Sequence, residues 1–147
     1  VRDKDAVNAA FMICEMFAYY RTRGISLPER LDEIYKTYGY CMNTLHSYEF
    51  DGAAGMQKMA DIMGAFREAE EALGDLRIEK RIDYLPGTDG LPASDVLKFT
   101  LEGGSTVVIR PSGTEPKLKM YISIMAEDKA SAEATEKRLT KELEKYL

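Results

Sequence analysis

Residues 40–147 predict an α+β domain, a small antiparallel sheet with helices packed on one face. Three observations carry that expectation. Several short runs alternate apolar and polar side chains, the period of a strand with one buried face. Most follow one another through short, turn-rich links, and consecutive strands joined this way pair antiparallel. Two segments of helical period, one after the first strand and one at the chain's end, supply a covering layer.

Residues 5–23 read as a helix, with Gly24 as its left-handed stop. Ala9-Ala10-Phe11-Met12-Ile13-Cys14 and Met16-Phe17-Ala18-Tyr19-Tyr20 make it apolar almost all round. A helix without a polar face is normally buried on several sides. Ser26-Leu27-Pro28-Glu29 forms a capping box for a second helix to about Tyr38. Two helices cannot bury this much apolar surface by themselves, so a partner, a sheet, is expected outside the chain. Without it the two helices are expected to self-associate or to be disordered.

A strand of mixed polarity is expected over 41–50. Met56, Met59, Met63 and Phe66 recur at helical spacing and predict a helix over 54–73, ended by Gly74, with the methionines in the core. Strands follow at 76–84, through Leu76, Ile78 and Ile82, and at 96–102, through Leu97, Phe99 and Leu101. Gly103-Gly104 signals a tight hairpin into a strand at 105–110, and the last strand spans 118–125. Asp128 caps a final helix whose Leu139, Leu143 and Tyr146 form one stripe.

Between the last two strands stands Arg110-Pro111-Ser112-Gly113-Thr114-Glu115-Pro116-Lys117. A hairpin needs only about two turn residues, and this longer string is suited to an oxyanion. Arg110 offers a planar fork of donors. Ser112 and Thr114 add hydroxyls, and Gly113 lets backbone amides turn toward a ligand as a nest. The prolines reduce the ordering entropy lost on binding. Lys117 and Lys119 share one strand face. Taken alone, the string also fits an ordinary decorated hairpin, because Ser, Gly, Thr and Pro are common turn formers.

The charge balance narrows the ligand. With net charge −5 and a pI near 5.0, the protein is acidic, which disfavours nonspecific nucleic-acid binding. Arg110, Lys117 and Lys119 are then a local positive site that fits a small anion. Cys14 and Cys41 lie in apolar contexts and read as buried thiols of a reducing compartment. No run reaches the roughly 18 apolar residues of a membrane span and no signal peptide is visible, so a cytoplasmic protein is expected. His46, the single histidine, has no cysteine partners and makes no metal site. The chain begins at Val1, as an excised fragment would.

Arg-Pro-Ser-Gly-Thr-Glu-Pro-Lys-Leu-Lys-Met-Tyr over 110–121 closely resembles the phosphate-binding signature of the phosphoglucomutase/phosphomannomutase family, the phosphohexomutases. Val1-Arg2-Asp3-Lys4-Asp5-Ala6-Val7 and the helix after it resemble the end of that family's third domain. The resemblance implies that 1–39 are the C-terminal helices of an α/β third domain. It implies that 40–147 are the fourth domain, similar to the TATA-binding-protein fold. It further implies an enzyme moving a phosphoryl group between the 1- and 6-positions of a hexose phosphate. Such enzymes use a phosphoserine, magnesium and a hexose 1,6-bisphosphate intermediate, and the fourth domain grips the phosphate that is not transferred. Carried onto this chain, Arg110 is the principal clamp. Ser112, Gly113, Thr114 and Lys119 bind the phosphate, with Lys117 a weaker member. Glu115 belongs to loop structure. Lys4 matches a lysine linked to catalysis, and Arg2 stands behind it.

The family's phosphorylated serine motif, aspartate-rich metal loop and sugar-recognition loop do not occur in this sequence. The chain alone is therefore expected to bind no magnesium and to lack mutase activity, with hexose phosphate and the N-terminal domains of the same protein as its partners. The rival reading is a freestanding anion-binding or protein-interaction module without catalysis.

Overall fold

A computed structural model describes residues 4–88, 90–113 and 115–147. The chain divides into two compact units, Val1–Gly39 and Tyr40–Leu147. The first holds two helices. Helix α1, Ala6–Arg21, starts where the Asp5 side chain accepts a hydrogen bond from the Asn8 amide at 2.8 Å. Gly24, at φ 71°, follows its end as the sequence leads one to expect. None of its residues is buried. Phe11, Ile13 and Phe17 are 66%, 56% and 47% exposed. Cys14 is exposed and Cys41 half-buried, which corrects the reading of both as buried thiols. Apolar neighbours in sequence bury a side chain only where another element covers it. Helix α2, Leu27–Tyr38, carries the predicted capping box, with Ser26 and Glu29 bonded reciprocally at 2.7 and 3.3 Å.

The second unit is a six-stranded sheet with two helices. Strand β1, Tyr40–Glu49, leads into α3, Gly52–Arg67. Strands β2, Ala72–Leu73, β3, Leu76–Asp83, and β4, Leu97–Leu101, follow. Strand β5, Thr106–Pro111, strand β6, Lys117–Ala126, and helix α4, Lys129–Leu143, complete it. The spatial order is β1-β6-β5-β4-β3-β2, with every neighbouring pair antiparallel. This is the α+β architecture expected.

Alternation builds the core. Leu97, Phe99 and Leu101 of β4, Val107 and Ile109 of β5, and Leu118, Met120, Ile122 and Ile124 of β6 are all buried. They join Met59, Ile62, Met63 and Phe66 of α3 and Leu139 and Leu143 of α4 in one cluster. Both helices thus cover the same sheet face. Phe66 stacks on Tyr146 at 4.4 Å between ring centroids, closing the stripe predicted for the last helix. On the helix-facing side of β1 the seam is polar. Glu136 of α4 accepts from the Thr44 hydroxyl at 3.0 Å and lies 2.6 Å from His46 Nε2. Asp128 caps α4 through the Ser131 amide at 2.8 Å.

Two expectations are corrected. Helix α3 ends at Arg67 rather than near 73, and Gly74, at φ 61°, is the turn of a hairpin. There β2 pairs with the start of β3, Leu73 opposite Leu76, adding a sixth strand. Of the methionine stripe, Met59 and Met63 are buried but Met56 is 48% exposed. Among the described residues, no helix is long and apolar enough to cross a membrane.

Candidate functional site

The register of β5 on β6 sets the site. Ile109 pairs with Met120, and Arg110 with Lys119. Ile109 and Met120 face the core. One step along each strand turns the side chain to the opposite face, so Arg110 and Lys119 stand side by side on the face away from the helices. Among the described residues, neither makes an ion pair. Two adjacent cations without a carboxylate repel each other, and an anion between them relieves that repulsion.

The connection is closed at its base. The Ser112 amide donates to the Lys117 carbonyl at 2.7 Å, and the Lys117 amide to the Glu115 carbonyl at 2.7 Å. The Phe50 amide donates to the Pro116 carbonyl at 2.8 Å, tying the loop to the end of β1. The Ser112 amide is thereby spent within the protein. Gly113 is outside the positive-φ glycines, so the left-handed half of a nest does not fall on it. A Cβ added at Gly113 meets no atom of the described residues beyond its chain neighbours within 4 Å, so those residues impose no need for glycine there. Thr114 and Arg2 lie outside the described residues.

Lys117 is placed differently from Lys119. Its ammonium lies 2.9 Å from Glu49 and 3.6 Å from Glu115. The Glu49 hydrogen bond, then the charges of Glu49 and Glu115, hold its pKa above the ordinary lysine value. Its charge is engaged by two carboxylates, whereas Lys119 has no carboxylate partner among the described residues. Glu115 thus serves the loop, as its sign requires. Lys4 lies exposed in the first unit, just before the Asp5 cap of α1.

Two cavities adjoin the stretch Arg110–Gly113. One, about 360 Å³, includes Lys119. The other, about 380 Å³, is bounded by Met56 and Met59 of α3 and by Ser94 and Asp95 ahead of β4. Sequence reasoning missed this second wall. The Arg67 side chain reaches Asp83 at 2.8 Å and pairs with Asp95, closing the neck of the 84–96 connection. The Tyr84 amide donates to the Val96 carbonyl at 3.0 Å across the same neck. Burial opposes the charge of Arg67, but its bonds to Asp83 and Asp95 outweigh this and raise its pKa. Burial also opposes the charge of Asp83, yet bonds from Arg67 and the Leu85 amide lower its pKa. Among the described residues, no group of three or more His, Cys, Asp or Glu is placed to hold a metal ion.

Comparison with known proteins bears on this geometry. The family model "Phosphoglucomutase/phosphomannomutase, C-terminal domain" matches residues 49–145. The phosphoglucomutase of Staphylococcus aureus (strain MSSA476) is 34% identical over 136 residues, covering 84% of this chain and 24% of the relative. That of Staphylococcus saprophyticus is 30% identical over 139 residues, covering 86% and 25%. The chain therefore spans about a quarter of the length of the relatives it matches. The crystal structure of pp63/parafusin (phosphoglucomutase) from Paramecium, open form, matches 99% of this chain and 28% of its own, with TM-score 0.68. At 19% identity it shows the fold alone. By the family match over most of its second unit, the chain belongs to the phosphoglucomutase/phosphomannomutase family and contains its C-terminal domain.

Proposed function

We propose that the β5–β6 connection binds the phosphate of a hexose phosphate, within a phosphomutase that interconverts hexose 1- and 6-phosphates. The observation that carries this reading is the pairing of Arg110 with Lys119, two cations without carboxylate partners among the described residues, beside a cavity lined by Ser112 and Gly113. Arg110 supplies a bidentate fork, Lys119 a point charge, and Ser112 and Gly113 polar groups at the rim. Lys117 contributes field rather than contact, because Glu49 and Glu115 hold it.

A bisphosphorylated intermediate must be held in two orientations, with either phosphate at the reacting end. A clamp on the distant phosphate serves both, and its binding energy aligns the reacting end, on which phosphoryl transfer depends. The serine and magnesium of the reacting centre are supplied by other parts of the enzyme. Residues 1–39 are helices of the preceding domain, whose apolar α1 packs against the rest of that domain. Lys4 serves proton transfer in the assembled enzyme. The chain alone is catalytically silent.

Amide NMR titration of the chain with inorganic phosphate tests the clamp. Shifts should concentrate at 110–119, with affinity on the order of millimolar for a site open to water. Arg110→Ala should remove them. Unchanged shifts in that variant, or phosphoglucomutase turnover by the chain alone, would overturn the reading.

A further inference from the structure

The second cavity shares Arg110, Ser112 and Gly113 with the first but lacks Lys119, and its remaining walls fit a different chemistry. On one side stands Met56, half-exposed where its stripe-mates are buried. On the other stand Ser94 and Asp95. Arg110 and Ser112 bound this cavity as well as the one beside Lys119, so the two cavities meet at the loop. A thioether against a hydroxyl and a carboxylate matches a polyol, whose carbon face is apolar and whose hydroxyls donate.

A carboxylate at the rim of an anion site is unfavourable unless it is neutralised and held. Arg67 does both. It pairs with Asp95 and is itself anchored to Asp83 at 2.8 Å. The Asp95 oxygen engaged by Arg67 is Oδ1. The carboxylate retains acceptor capacity beyond that bond, and it is 40% exposed.

Resting on the phosphate clamp proposed above, we infer that this cavity seats the carbon skeleton of the phosphorylated ligand. Asp95 accepts hydrogen bonds from the hydroxyls next to the phosphate, and Arg67 is the positioning residue that holds Asp95 in place. The domain thereby distinguishes a phosphorylated polyol from a bare phosphate ester.

Two phosphate monoesters of equal charge separate the clamp from the seat: ethyl phosphate and glucose 6-phosphate, titrated against the chain by amide NMR. Glucose 6-phosphate should bind on the order of tenfold tighter, the worth of a hydrogen bond to a charged group. Asp95→Ala should abolish the difference while leaving ethyl phosphate binding unchanged or slightly tighter, because it removes a negative charge. A merely structural role for Asp95 would instead weaken both ligands together. Asp95→Asn keeps an oxygen for Arg67, guards against loss of fold, and should lose part of the preference. Equal affinities in the unaltered chain, or parallel weakening in Asp95→Ala, would overturn the seat while leaving the clamp intact. Absence of ethyl phosphate shifts at 110–119, or shifts indifferent to Arg110→Ala, would overturn the clamp beneath it.

Discussion

The contrast between Lys117 and Lys119 gives a demanding test, because the two residues differ by one turn of the strand pleat and carry the same charge. Lys119 stands opposite Arg110 without a carboxylate partner among the described residues. Lys117 lies 2.9 Å from Glu49, whose side chain is 73% exposed, and 3.6 Å from Glu115. A contact between unit charges at about 4 Å is worth about 1 kcal/mol in water and about 4 kcal/mol near a protein surface of lower polarity. In a half-open cavity Lys119→Met should therefore cost about 1–2 kcal/mol of phosphate affinity, roughly fivefold to thirtyfold. Lys117→Met removes a charge that must first be drawn from two carboxylates and acts only through a screened field. It should cost no more than about threefold at about 0.15 M salt. Glu49→Gln releases Lys117 and removes a negative charge, so phosphate binding should tighten. The assay is amide NMR titration of all three variants at one ionic strength. Equal losses for Lys117→Met and Lys119→Met would show that ion pairing does not decide which lysine meets the ligand.

Three further outcomes follow from the same geometry. Gly113→Ala places a Cβ where, beyond its chain neighbours, no atom of the described residues lies within 4 Å, so thermal stability should hold or rise by up to about 1 kcal/mol while phosphate affinity falls; a drop in both would refute the claim that only a ligand needs the space. Asp83 is held below its ordinary 3.8 despite burial, by Arg67 and the Leu85 amide. A lowered folded pKa means stabilisation that is present above the unfolded value and lost as pH falls through the folded one. The difference in unfolding midpoint between the protein and Arg67→Met should accordingly shrink as pH drops from about 6 to about 2, and a constant difference would contradict the pairing. Helix α1 exposes Val7, Phe11, Met12, Ile13, Met16 and Phe17, so the chain should self-associate in sedimentation. Phe11→Ser with Phe17→Ser should shift it toward monomer, and a monomeric unaltered chain would argue against an unpaired apolar helix.

What was legible in the sequence was local. Alternation at Leu97, Phe99 and Leu101 and at Leu118 through Ile124 reports one buried face, and that is where these side chains lie. Ser26 and Glu29 announce a helix start because the bonds they make are three residues apart. The β5–β6 connection stood out because its candidate donors are consecutive. What escaped was set by distance along the chain or by competition. The segment Glu68–Leu73 continues a helical composition, yet Gly74 and the pairing of Leu73 with Leu76 turn it into a hairpin. Met56 belongs to a stripe whose other members are buried, and only the neighbouring cavity shows why it is not. Arg67, Asp83 and Asp95 come from three elements and carry no local pattern that joins them. The difference between Lys117 and Lys119 depends on Glu49, which sequence distance separates from both.

The most direct measurement of the central claim is a crystal structure of the chain grown with saturating hexose 6-phosphate. Its phosphoryl oxygens should lie within hydrogen-bonding distance of the Arg110 guanidinium and the Lys119 ammonium. An ordered phosphate elsewhere on the second unit, with Arg110 and Lys119 still facing solvent, would contradict the account.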